Sequence, residues 1–70
     1  MNKKLTNKRL VGFLMEHRHI ELVTVSKDKV IATVSAKFTP EEVPGIVKEV
    51  GQMPRCISEN GVNYIVFSRY

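Results

Sequence analysis

One cysteine, no tryptophan and four scattered glycines in a 70-residue chain exclude several chemistries at once. Cys56 has no second thiol with which to close an internal disulfide. A structural zinc usually takes four ligands, and one cysteine with two histidines falls short. Gly12, Gly45, Gly51 and Gly61 form no glycine-rich phosphate loop. Local context suggests no Ser/His/Asp arrangement. No apolar run approaches the roughly 18–20 residues of a membrane span. The basic opening Met1-Asn2-Lys3-Lys4-Leu5 leads to an apolar stretch, Leu10 to Met15, that is too short for a signal peptide and precedes no small-residue cleavage site. A lone thiol without an export signal predicts a reducing, cytoplasmic setting.

What remains is an ordinary globular composition, 43% hydrophobic and 26% charged. The length predicts a single domain over residues 1–70, with 1–5 as a flexible basic lead. A chain this short buries only about 60% of its unfolded surface, so self-association is the expected support. The net charge of +4 favours a polyanion as partner: nucleic acid, an anionic membrane surface or an acidic protein, of which DNA, RNA or an acidic protein is the expectation.

Thr6 or Asn7 can cap a helix reaching His17 or Arg18, with Leu10, Phe13, Leu14 and His17 on one face. Ile20 to Val25 is rich in β-branched residues and reads as a strand. After the polar break Ser26 to Lys29, residues 30–38 alternate, with Val30, Ala32, Val34, Ala36 and Phe38 on one face. A Lys27-Asp28 loop pairs Val25 with Val30 and Val23 with Ala32. Thr39 and Glu42 fit a capping box, with Pro40 at the first helical position and Phe38 and Val43 as a hydrophobic staple. Pro44 splits this segment, so an opening turn precedes a helix that stops at Gly51. Asn60-Gly61 between apolar runs predicts a second hairpin pairing Ser58 with Asn63, Ile57 with Tyr64 and Cys56 with Ile65. The fold class is therefore α+β, two-layer, helix-hairpin-helix-hairpin (αββαββ), with a four-stranded, mainly antiparallel sheet.

Few residues suggest reaction chemistry. Glu16, His17, His19 and Glu21 are a local set of metal-ligand types, but they straddle a helix end at neither the helical nor the strand spacing. The histidines read as helix-end and surface groups, and no metal or cofactor is expected. Cys56, on the core face of a strand, reads as a buried, inert thiol. No catalytic residue is expected, and the chain reads as a non-enzyme. The far side of the sheet is more telling. Arg55, Tyr64 and Tyr70, with Lys37, put aromatic and basic groups where bases and phosphates could dock. Lys3, Lys4, Lys8 and Arg9 form a second basic patch, and Arg69 adds a cation beside Tyr70. Ile31, Ile57 and Val66 on the same sheet face suit a protein interface instead. The leading expectation is a small basic nucleic-acid-binding protein, paired as a homodimer. The alternative is a protein-interaction module, such as a small inhibitor or an assembly subunit.

Leu10-Val11-Gly12-Phe13-Leu14 resembles the opening of the LAGLIDADG helix of homing endonucleases, and the element order is similar to the first part of one such half-domain. The likeness covers five residues and a layout. His17 stands where that family's metal-binding aspartate would align, and the final helices are missing. These departures put cleavage in doubt, and the resemblance implies DNA binding with helix-mediated pairing, as an analogy of layout.

Overall fold

The computed structural model describes residues 5–69. Its first helix starts at an available cap. The Thr6 hydroxyl accepts from the Arg9 N–H at 3.3 Å, and α1 runs Asn7–Glu16. Leu10 and Leu14, one turn apart, are fully buried. His17 is already extended, so α1 ends one or two residues short of the predicted limit.

Strands β1, Ile20–Val25, and β2, Lys29–Val34, make the first hairpin. The Ser26 N–H donates to the Lys29 carbonyl at 2.8 Å, leaving Lys27 and Asp28 as the loop. Val25 meets Val30 and Val23 meets Ala32, as the alternation predicts. The register then shifts: Leu22 pairs with Thr33, but Ile20 pairs with Val34. Glu21 is thus an extra residue in the ladder. The bulge returns Ile20 to the core side, although strict alternation would send it outward with Leu22 and Thr24.

β2 stops at Val34 rather than continuing to Phe38. Beyond it the Ser35 N–H donates across the hairpin to the His19 carbonyl at 2.9 Å, and Ser35 Oγ accepts locally from the Lys37 N–H at 3.2 Å. A serine offering its own acceptor competes with the ladder. Ala36 is consequently exposed instead of buried, and Lys37 sits in a turn instead of on the sheet.

A 3₁₀ turn, Pro40–Glu42, precedes α2, Val43–Val50. The Glu42 carboxylate reaches back to accept from the Thr39 N–H at 3.0 Å. Gly51 closes α2 at φ 78°, its N–H donating to the Val47 carbonyl at 2.7 Å. Strands β3, Arg55–Glu59, and β4, Val62–Ser68, follow. Asn60 and Gly61, at φ 54° and 79°, supply the doubly left-handed turn that this hairpin needs. All three predicted pairs, Ser58–Asn63, Ile57–Tyr64 and Cys56–Ile65, are formed.

The sheet is antiparallel throughout, in the order β1-β2-β4-β3. β2 and β4 join the hairpins, pairing Val30 with Phe67 and Ala32 with Ile65. These four residues and Val34 are buried under Leu10, Leu14, Ile46 and Val50 of the helices. The Leu5 N–H donates to the Val50 carbonyl at 3.1 Å, while His17 and His19 meet Glu42 at the other end. The helices therefore run in opposite directions. They leave β3 bare, and every residue of it is exposed.

Leu14→Ala should cost about 2–5 kcal/mol, enough to remove most of the cooperative urea transition of so small a domain. Met15→Ala, next to it but 69% exposed, should stay within about 0.5 kcal/mol of the parent.

Candidate interaction surface

Alternation along each strand sends one set of side chains under the helices and the other onto an open face. Two cross-strand rows make the middle of that face. One runs Leu22, Thr33, Tyr64, Ile57, and its neighbour runs Thr24, Ile31, Val66, Arg55. Lys29 and Ser68 pair beyond the second row, and Glu59 and Val62 beyond the first. Leu22 is 61% exposed, Ile57 43% and Val62 37%. Ile31, Thr33, Tyr64 and Val66 are half-buried by their neighbours. Four of the eight residues in the two rows, Leu22, Ile31, Ile57 and Val66, are aliphatic, one on each strand. The cations of the face, Arg55 and Lys29, line one shallow depression with Asp28 and Ser68.

The other predicted cations among the described residues do not join them. Lys8 and Arg9 are exposed in the first turn of α1, on the helical side of the molecule, and no acid accompanies them there. Lys37 occupies the turn after β2. Lys3, Lys4 and Tyr70 lie outside the described residues. Arg69 is engaged internally: Nε donates to Asn7 Oδ1 at 2.7 Å, one terminal nitrogen donates to Gln52 Oε1 at 2.7 Å, and the other to the Leu5 carbonyl. Gln52 Nε2 also donates to the Ser68 carbonyl at 2.6 Å. Arg69 thus ties the end of β4 to the start of α1 and the loop after α2. A phosphate would have to displace three oxygen partners to reach it.

Cys56 is exposed rather than buried. Its register on the helix side is as predicted, opposite Ile65, but no helix extends over β3 to cover it.

Where α1 ends and α2 begins, an open cleft of about 720 Å³ gathers His17, His19 and Glu42, with Phe13, Glu16 and Glu41 at its walls. His19 Nδ1–H donates to Glu42 Oε2 at 2.9 Å. His17 Nε2 lies 3.8 Å from Glu42 Oε1, its ring centroid 6.1 Å from those of both Phe13 and Phe38. The His19 hydrogen bond, then the Thr39 N–H, hold the Glu42 carboxyl below its ordinary value of 4.5. Glu42 was not among the residues singled out with the histidines, since it lies 23 positions from His19. The capping-box pattern identified its local role, but nothing local told which helix end it would face. Glu42 Oε2 is already shared between His19 and Thr39. Among the described residues, no group of three or more His, Cys, Asp or Glu is arranged to hold a metal ion, and no helix is long and apolar enough to cross a membrane.

No protein-family model, curated protein or solved structure compared with this chain gives a match. The likeness of residues 10–14 to a homing-endonuclease helix therefore carries no argument about the site.

The Glu42 latch should show in acid. Its carboxyl is depressed in the folded chain, so its contribution is complete above the ordinary value of 4.5 and is lost as pH falls through the lower folded value. Urea midpoints of the parent should drop across that acid window. Those of Glu42→Gln should start lower and show a smaller drop there. Separately, native Cys56 should react with a thiol-specific chromogenic reagent without prior unfolding.

Proposed function

We propose that the chain is a protein-interaction module that docks through the open face of its sheet. The observation that carries this reading is the make-up of the two central rows. Leu22, Ile31, Ile57 and Val66, with Tyr64, place apolar surface on all four strands, while Arg55 is the single charge in those rows. Covering an exposed aliphatic side chain contributes up to about 1.5–3 kcal/mol. A flat apolar surface spread over four strands suits a protein partner better than a phosphate backbone, which needs a track of cations.

Nucleic-acid binding is the second reading. It is favoured by the +4 net charge and by Lys29 and Arg55 sharing one depression with Ser68. Tyr64 would then be the stacking platform, although its cross-strand neighbours are Thr33 and Ile57 rather than cations.

The two readings separate by variant and by salt. In the first, the Leu22→Asp/Ile57→Asp chain keeps its far-UV circular dichroism but no longer retains proteins from nuclease-treated extract of its source cells. A Lys8→Glu/Arg9→Glu chain retains them like the parent. In the second, a labelled oligonucleotide binds with an affinity that falls steeply with salt, and Arg55→Ala weakens it. A face variant that retains the same proteins and self-associates like the parent would remove the first reading. Binding without a salt slope would remove the second.

A further inference from the structure

Resting on the docking-face reading, we infer that the partner the open face fits is a second copy of this chain, packed sheet on sheet about a two-fold axis along the Leu22–Thr33–Tyr64–Ile57 row.

The inference starts from the charges on β3. Arg55, Ile57 and Glu59 alternate onto the open face, opposite Val66, Tyr64 and Val62 of β4. The cation and the anion therefore stand on either side of Ile57, four residues apart on one extended strand. At about 3.3 Å per residue they are about 13 Å apart, too far to pair with each other. Neither makes an ion pair with another described residue, where the ion pairs are His17–Glu42 and His19–Glu42.

A two-fold axis lying between two such faces, perpendicular to the strands and passing over Ile57, reverses the strand direction of the second copy. It sets each Arg55 over the other copy's Glu59, and the pair forms twice. The same operation sets Val66 over Val62. It also brings each of Leu22, Thr33, Tyr64 and Ile57 near its own equivalent. The charge pattern is thus self-complementary about one axis, and Leu22, Tyr64, Ile57 and the Val66–Val62 pair meet apolar groups across it. Two antiparallel sheets packing with strand directions within about 30° is a standard sandwich geometry, and a long arginine side chain accommodates the offset that such an angle brings at an edge strand.

The apolar residues point the same way. Leu22, Ile57 and Val62 are large hydrophobic side chains that the single chain leaves exposed, and this packing covers all three. Four strands about 4.8 Å apart make a face no larger than the roughly 800 Å² per partner of a standard interface. The dimer should accordingly exchange with monomer at accessible concentrations.

Sedimentation velocity on the full chain, from about 1 µM to about 1 mM, is the test. The parent should pass from monomer to dimer across that range. Ile57→Asp should remain monomeric throughout. Arg55→Glu and Glu59→Arg should each weaken self-association at least tenfold, because each sets like charges together at both corners. Mixing these two variants one to one should restore dimers close to parental affinity, since a mixed pair regains opposite charges at both corners. A purely local role for either residue cannot produce that recovery. Circular dichroism on each variant separates loss of pairing from loss of fold, and Arg55→Ala serves as the milder substitute where a reversal unfolds the chain.

A parent that stays monomeric at every concentration overturns the inference. So does a dimer indifferent to Ile57→Asp, and so does a mixture no tighter than its components. If the parent is monomeric while Leu22→Asp/Ile57→Asp still loses its retained proteins, the docking face stands and only the second copy is rejected. If that variant both retains the same proteins and self-associates like the parent, the docking face is rejected as well.

Discussion

The pairing of β2 with β4 is the constraint on which the rest of this molecule depends. Each hairpin is specified locally by its own turn, but a two-stranded ribbon alone is marginal in water. Setting Val30 beside Phe67 and Ala32 beside Ile65 makes one apolar floor from two ribbons, and Leu10, Leu14, Ile46 and Val50 close over it. A one-residue slip at this seam would turn Phe67 and Ile65 outward and bring Tyr64 and Val66 under the helices. The character of the open face is therefore fixed by the same register that fills the core.

Much of this was legible because the signals were short-range. The Asn60-Gly61 turn selects its own geometry and hence the whole β3–β4 register. The Lys27-Asp28 loop does the same for β1 and β2 near the turn. The restriction that Pro44 places on Val43 divides the second helical segment into a turn and a helix, which starts at Val43, one residue before the proline. What was not legible depended on distant parts of the chain. Alternation through Phe38 reads as strand, yet the ladder ends where Ser35 N–H finds the His19 carbonyl. That contact lies just beyond the register shift between Ile20 and Leu22, which no local pattern announced. Cys56 has the side of the sheet that periodicity gives it but not the burial, because burial requires a helix above β3 and both helices stop short.

The functional surfaces divide the same way. Composition gives the charge but not its placement. The structure scatters the cations among the start of α1, the turn after β2 and the rim of the open face, and it commits Arg69 to neutral oxygens inside the chain. The histidines at the end of α1 were visible as a cluster, whereas Glu42, which gives them a common partner, was visible only as a cap. Two helix ends of opposite dipole meet there, one bearing imidazoles and the other a carboxylate, which is the arrangement that helix electrostatics favours. Among the described residues, the expected aromatic and basic sheet face loses Lys37 to a turn and keeps Tyr64 and Arg55 among aliphatic residues from all four strands.

The Arg69 tie couples the two extremities of the described chain, since it spans 62 positions to Asn7 and 64 to Leu5. Its three acceptors come from segments that the Leu5–Val50 and Gln52–Ser68 hydrogen bonds also draw together. A nick that removed the last few residues would therefore not merely fray the tail of β4. It would also remove a tie on the entry to the first helix and on the loop that follows the second, so that damage at one extremity would be felt at the other.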